Sequence, residues 1–220
     1  MNASRARVGA PGATAFLPEH LTIATMRGAV QKCRGCPLYE DASQAVMGDG
    51  PADAAVVVIG EQPGDQEDRA GEPFVGPAGQ LLDKALESAG IDPASVYRTN
   101  AVKHFRFRGT GGKRRIHVSP DRLHVEACKP WLLAELEVLS PSGVIVLGAT
   151  AGKALLGSSF RVTAQRGQLL AWPAGLPDGD GTTQWLLATV HPSAVLRAPD
   201  RAQALEELVS DLRVAAAALS

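Results

Sequence analysis

The chain is 220 residues long, 45% apolar and 20% charged, with a formal net charge of −1. That length and composition fit one sizeable soluble domain, and the near-neutral balance excludes a global basic field, so any hold on nucleic acid has to come from a local patch. The longest apolar runs, 54–60 and 144–148, are too short to cross a bilayer.

In chain order, residues 1–18 read as a loose tail: Arg5 and Arg7 stand among Ala, Gly and Pro, with no apolar stretch of the signal-peptide kind. Residues 19–220 read as a single domain. A helix is expected over 21–32. It runs into Cys33-Arg34-Gly35-Cys36, two thiols at the spacing of one turn. Strands are expected at 55–59, 96–101, 144–147 and 186–190, four short runs rich in Val, Ile and Leu that end at Gly or polar residues. Between and after them, helices are expected at 79–89, 120–139, 150–156 and 201–217. Ser119 stands as the N-cap of the third and Asp200 as that of the last. Strands alternating with helices predict a three-layer α/β/α domain on a four-stranded parallel sheet.

In such sheets ligands bind beyond the carboxyl ends of the strands. Here those ends carry Gly60-Glu61-Gln62-Pro63-Gly64-Asp65, then Asn100 to His104, then Gly148-Ala149-Thr150, and finally His191-Pro192-Ser193. Glu61, Asn100 and His191 exceed what turn chemistry alone requires. Two other motifs are set aside. Gly148-x-x-x-Gly152-Lys153-Ala154 has too few spacers and the wrong last residue for a P-loop, and no G-x-G-x-x-G follows a strand.

The three cysteines include a C-x-x-C, and an odd count argues against a disulfide framework and for a metal or redox site in a cytoplasmic protein. With Cys128 as the third thiolate, an iron–sulfur cluster or a zinc ion needs a fourth ligand. His104 leads, with His20 and His124 as competitors. The segment 93–120 holds no acid but seven bases, Arg98, Lys103, Arg106, Arg108, Lys113, Arg114 and Arg115, and ends near His117. Cations held apart from acids suit a polyanion.

Taken singly, these residues have ordinary readings: Phe74 as core, Asn100 as a turn residue, His191 at a helix entry, Glu61 and Asp65 as solvated carboxylates, His117 as a loop histidine. Their order changes that. Cys33-x-x-Cys36-Pro37-Leu38, Gly60 to Gly64, Pro73-Phe74-Val75-Gly76-Pro77-Ala78-Gly79, Thr99-Asn100-Ala101-Val102-Lys103, Ala127-Cys128-Lys129-Pro130-Trp131 and His191-Pro192-Ser193 together resemble the iron–sulfur branch of the uracil-DNA glycosylase superfamily. The resemblance covers about residues 20–215. Gln62, His104 and the insertion ending in Lys113-Arg114-Arg115-Ile116-His117 depart from that branch and resemble its UdgX subfamily, whose members stay covalently attached to uracil-containing DNA through the loop histidine.

The resemblance implies a [4Fe-4S] cluster on Cys33, Cys36, His104 and Cys128. It implies uracil held by Gln62, Phe74, Asn100 and His191. Glu61 and Asp65 would stabilise the sugar cation, with His117 as nucleophile. Lys113, Arg114, Arg115 and Arg197 would contact phosphates. The expected partner of a monomeric, cytoplasmic protein, not bound to any membrane, is uracil-containing DNA, single-stranded or also double-stranded. A flipped base fits this set: Phe74 offers a face, Asn100 a donor and an acceptor, and His191 a bond to uracil O2 as charge grows there. Three other functions compete: a conventional multiple-turnover glycosylase, a non-catalytic uracil-DNA binder, and an electron-transfer protein.

Overall fold

The computed structural model describes residues 10–109, 115–179 and 181–219. In chain order its main elements are α1 (Ile23–Val30), β1 (Val56–Gly60), α2 (Asp65–Ala70), α3 (Pro77–Ala89), β2 (Val96–Asn100), β3 (Phe107–Gly109), β4 (Arg115–His117) and α4 (Arg122–Leu139). They continue as β5 (Gly143–Leu147), α5 (Gly148–Leu156), α6 (Val162–Gln165), β6 (Leu169–Ala171), β7 (Trp185–Thr189), α7 (Pro192–Leu196) and α8 (Arg201–Ala218).

The sheet has the order β2-β1-β5-β7-β6. Its first four strands are parallel and β6 is antiparallel to β7. Every residue of β1, β5 and β7 is buried, as expected of strands covered on both faces. Alternation splits their side chains between two layers. Val57, Ile59, Val144, Val146, Leu186 and Ala188 join Met26 and Val30 of α1, Leu132 and Leu136 of α4 and Leu155 of α5. Val56, Val58, Ile145, Leu147 and Leu187 join Leu82 and Leu86 of α3, Val195 of α7, and Leu208 and Leu212 of α8. The result is the expected three-layer α/β/α domain, with β6 added at one edge. That strand has three residues and exposes Leu169 and Ala171, so it buries little of its apolar sequence.

Several expected boundaries differ: α1 spans Ile23–Val30, and α3 and α5 begin at Pro77 and Gly148, each two residues early. Asp121, not Ser119, is the N-cap of α4, and its N–H is bonded to His124 Nδ1 at 3.3 Å. The Ser119 carbonyl instead accepts from Arg106 Nη1 at 2.8 Å, so the chain is still approaching the helix there. The loose tail is docked over its described part: Ala13 is buried and donates to the Ala127 carbonyl at 2.8 Å, while Gly12 donates to that of Gly35 at 3.0 Å. A Cβ on Gly35 would lie 2.8 Å from the Gly12 carbonyl carbon, so the C-x-x-C turn accepts this strand only because Gly35 is bare. Asp200 caps α8 as expected, accepting from Gln203 N–H at 3.0 Å. Among the described residues no helix is long and apolar enough to cross a membrane.

Candidate functional site

The chain leaves β1 toward β2 on one side and returns to β5 on the other, so β1 and β5 flank the point where strand order reverses. Such a point opens a crevice at the carboxyl ends. A cleft of about 750 Å³ lies there, lined among others by Glu61, Gln62, Phe74, Asn100, His117, His191 and Arg197. The two sides are tied across the crevice: Thr150, from the first turn of α5, donates its hydroxyl to Glu61 Oε2 at 2.5 Å.

The floor is built by close approach. Gly60 pairs with Asn100 in register. A Cβ on Gly60 would meet Asn100 Oδ1 at 2.4 Å and the Phe74 ring at 2.8 Å. Phe74 itself has φ +59°, a left-handed conformation costly for an aromatic residue. It is held there because Gly79 lets the backbone close: a Cβ on Gly79 would overlap the Phe74 carbonyl oxygen at 1.6 Å. Glu67 ties the two loops by accepting from Gly64 N–H at 3.0 Å and Gly76 N–H at 2.8 Å. Glu67 was missed in the sequence, although a carboxylate three residues after Gly64 has capping-box spacing.

His191 stacks on Phe74 with centroids 6.3 Å apart. Its Nδ1 accepts from Ser193 N–H at 3.1 Å, so Nε2 carries the proton. Burial, aided by the charges of His117 and Arg197, pushes its pKa down to about 4. At neutral pH it is therefore an uncharged donor.

The basic segment folds back as a two-stranded ribbon of β3 and β4 that delivers His117 to the cleft. Gln62 clamps it. Its Oε1 accepts from Arg106 N–H at 3.1 Å, and its Nε2 lies 3.1 Å from the Arg106 carbonyl, 3.2 Å from that of Val118 and 3.0 Å from His117 Nε2. Since the amide nitrogen only donates, His117 Nε2 faces it with a lone pair, which places the imidazole proton on Nδ1. Two amide hydrogens serve three acceptors, so that lone pair is only partly engaged. Glu61 Oε1 stands 3.6 Å from the same nitrogen, close enough for charge to act but beyond a hydrogen bond. Burial lowers the His117 pKa below its ordinary 6.5, with Glu61 opposing and Arg197 assisting.

Arg115 and Asp65 are placed otherwise than expected. Arg115 binds Asp65 and also Asp68 at 2.6 Å, and its guanidinium lies 4.9 Å over the Phe107 ring. It anchors the ribbon inward, where a phosphate contact was expected. Asp68 is fully buried and also accepts from Ser43 N–H at 3.0 Å. Asp65 is turned to Arg69 and Arg115 and does not line the cleft. Burial opposes, but those two cations hold its carboxyl below the usual range. Arg197 does reach the cleft. Lys113 and Arg114 lie outside the described residues.

Behind the ribbon, all three cysteines are free and buried. Trp131 Nε1 donates to Cys33 Sγ at 3.3 Å, Gly35 N–H to the same sulfur at 3.4 Å, and Lys103 N–H to Cys128 Sγ at 3.2 Å. Burial pushes the Cys128 thiol up to about 12 against the pull of Lys103, and it also raises Cys36, opposed by a backbone hydrogen bond from Leu38. His104 is buried and held down to about 4, chiefly by that burial. Among the described residues no three His, Cys, Asp or Glu side chains close to the spacing of one metal ion. The three buried thiols act on one another's charge, and N–H groups are aimed at two of the sulfurs. This arrangement suits a sulfur-rich, several-atom group better than a lone cation.

An α/β domain with a polar crevice at its switch point, floored by an aromatic ring and an amide, has the layout of a ligand-binding α/β fold. Residues 47–213 match the model of the uracil DNA glycosylase superfamily, and the chain belongs to that superfamily. It is 37% identical over 172 residues to the type-4 uracil-DNA glycosylase of Pyrobaculum aerophilum, covering 77% of this chain and 82% of that one. It is 35% identical over 181 residues to the type-4 uracil-DNA glycosylase of Thermotoga maritima, covering 82% and 85%.

The ribbon's anchorage is testable. Arg115→Met is expected to leave the sheet intact while speeding limited proteolysis between residues 105 and 118, because Asp68 then keeps a buried charge without its cation. Cleavage at the wild-type rate would show that Gln62 holds the ribbon alone.

Proposed function

We propose that the protein is a uracil-DNA glycosylase that captures its own product. It flips uracil from DNA, breaks the bond between the base and C1′, and joins C1′ to His117. The observation that carries this reading is the placement of an uncharged His117 Nε2 in the cleft, its lone pair only partly held by Gln62 and a carboxylate 3.6 Å away. Phe74 stacks on the flipped base, and the Asn100 side-chain amide offers uracil a donor and an acceptor. As the base leaves, the bonding electrons pass to uracil, and His191 Nε2–H bonds the O2 on which charge accumulates. Glu61 stabilises the cationic sugar. The Nε2 lone pair then forms the new bond, and the Nδ1 proton is lost to restore a neutral, alkylated imidazole. Imidazole so bonded is a poor leaving group, so each molecule reacts once. Arg197 on the cleft and Lys113 and Arg114 of the basic segment supply phosphate contacts. Arg115 serves them indirectly by holding the ribbon.

The type-4 names of the relatives and the Gln62 amide on the His117 lone pair favour a second reading, in which water attacks C1′ and the enzyme turns over. Mass spectrometry after mixing with a uracil-containing oligonucleotide decides between them. Free uracil together with protein heavier by the oligonucleotide less uracil supports capture. Free uracil with unmodified protein supports hydrolysis, and no free uracil leaves a binder.

We further propose that Cys33, Cys36, Cys128 and His104 hold an iron–sulfur cluster of the [4Fe-4S] type. Bound there, it would cross-link the turn after α1, the end of β2 and α4. Purified protein is expected to contain iron and sulfide in similar amounts, and His104→Ala to lower both. Full occupancy in that variant would remove His104 from the ligand set.

His117→Ser is expected to abolish the heat-stable adduct while uracil release continues, because the pocket is untouched and water gains the vacated space. Adduct at wild-type yield, or attachment mapped to another residue, refutes capture by His117. The sign of the pH dependence also follows. The His117 pKa is lowered, so the neutral form dominates at pH 7 and is lost only as pH falls below 6.5. Adduct formation by wild type is expected to be flat above that value and to decline on acidification. A rate that rises as pH falls would require the protonated imidazole.

A further inference from the structure

Directly behind the base-reading residue lies a charged pair that the reaction does not use. Lys103 and Glu135 side chains are both 0% exposed. The ammonium has three hydrogens and three acceptors: Thr99 Oγ1 at 2.7 Å, the Asn100 carbonyl at 2.8 Å and Glu135 Oε2 at 2.5 Å. The other carboxylate oxygen takes Gly48 N–H at 3.0 Å and the Tyr97 hydroxyl at 3.1 Å. A buried pair like this gives little net stability over apolar residues of the same shape, because desolvation offsets the attraction. What it supplies is geometry. Asn100 ends β2, and beyond it the sheet pattern is replaced by Ala101 N–H to the Gly60 carbonyl at 2.9 Å and Val102 N–H to that of Glu61 at 3.1 Å. The Asn100 carbonyl takes no part in these bonds and accepts from the ammonium. Bonding it fixes the peptide plane from which the Asn100 side chain reaches across Gly60.

We propose that Lys103, neutralised by Glu135, is a positioning residue for uracil selection: it orients Asn100 through its main-chain carbonyl. The proposal rests on the glycosylase reading above. It adds that the strand end is also moored through Lys103 N–H to Cys128 Sγ at 3.2 Å, so the base reader and the thiol site share one residue.

The test is a double-mutant cycle in single-turnover uracil release, on variants shown by circular dichroism and thermal melting to be folded. Lys103→Met keeps the length and removes the charge. It is expected to slow release by about ten- to a hundredfold, the usual cost of misplacing one buried polar contact. In an Asn100→Ala background the same change is expected to slow release by less than about twofold, since the group it orients is gone. If Lys103→Met does not fold, Glu135→Gln is carried through the same cycle, with a smaller loss and the same non-additivity expected. A folded variant with the wild-type rate, or an equal loss in both backgrounds, overturns the proposal and leaves the pair a packing element. Wild type that releases no uracil overturns the glycosylase reading, and this proposal with it.

Discussion

The site depends on β1 ending in a residue without a side chain. Parallel pairing sets Gly60 beside Asn100. Two side chains, the amide of Asn100 at the end of β2 and the ring of Phe74 from the loop before α3, occupy the space that a Cβ there would fill. The ring reaches it only from a left-handed backbone, a conformation worth of order 1–3 kcal/mol of strain. That strain is offset by the loop around it: Gly79 accepts the Phe74 carbonyl at overlap distance for any other residue, and Glu67 bonds the loop at Gly76. The cleft floor is thus a product of two bare backbone positions and one constrained aromatic.

Charge organises the walls. The segment 93–120 carries bases and no acids, yet in space four of its described cations are answered from elsewhere, Arg98 by Asp83 and Arg106 by Asp121, and Lys103 and Arg115 by buried acids. Lys103 meets Glu135 of α4, and Arg115 meets Asp65 and Asp68 of α2. Each pair is geometrically demanding, and losing one partner strands the other in a poor dielectric. One pair bonds the Asn100 carbonyl at the end of β2, and the other ties β4 to α2. Charge segregation along the chain therefore misstates which cations face the cleft. Arg197, isolated in sequence, lines the cleft, while Arg115, inside the basic run, turns inward.

The same contrast explains what was legible beforehand. Strands β1, β5 and β7 were visible because burial on both faces demands apolar runs, and the long helices because their caps and periodicity are local. The edge strand β6 and the short helices α2, α6 and α7 were not, since they bury little and are fixed by tertiary contacts. Glu61, Phe74, Asn100, His117 and His191 were found as motifs, and they do line one cleft. Asp65 was placed on it too, and the ion pairs with Arg69 and Arg115 turn it away. The clamp made by Gln62 joins residues up to 56 positions apart, which no local pattern shows. The cysteine spacing was plain; the Trp131 and Lys103 N–H groups aimed at the sulfurs were not.

On the proposed reading, base choice and the fate of the product belong to separable parts of the molecule. Phe74, Asn100 and His191 sit on the sheet's own strand ends and loops, and nothing in their geometry depends on what attacks C1′. The ribbon supplies the attacker. Glu61 stands between the two, with Oε2 held by Thr150 of α5 and Oε1 turned toward His117. A carboxylate so fixed stabilises a sugar cation whether water or imidazole follows. With water, the product carries no bond to the protein and the site clears. With imidazole, the same cation is quenched by a side chain that Gln62 holds at both ends of its ribbon, so the product cannot leave without breaking a carbon–nitrogen bond. A short inserted ribbon and one glutamine then suffice to change a turnover enzyme into a single-use one, with the uracil pocket left as it was.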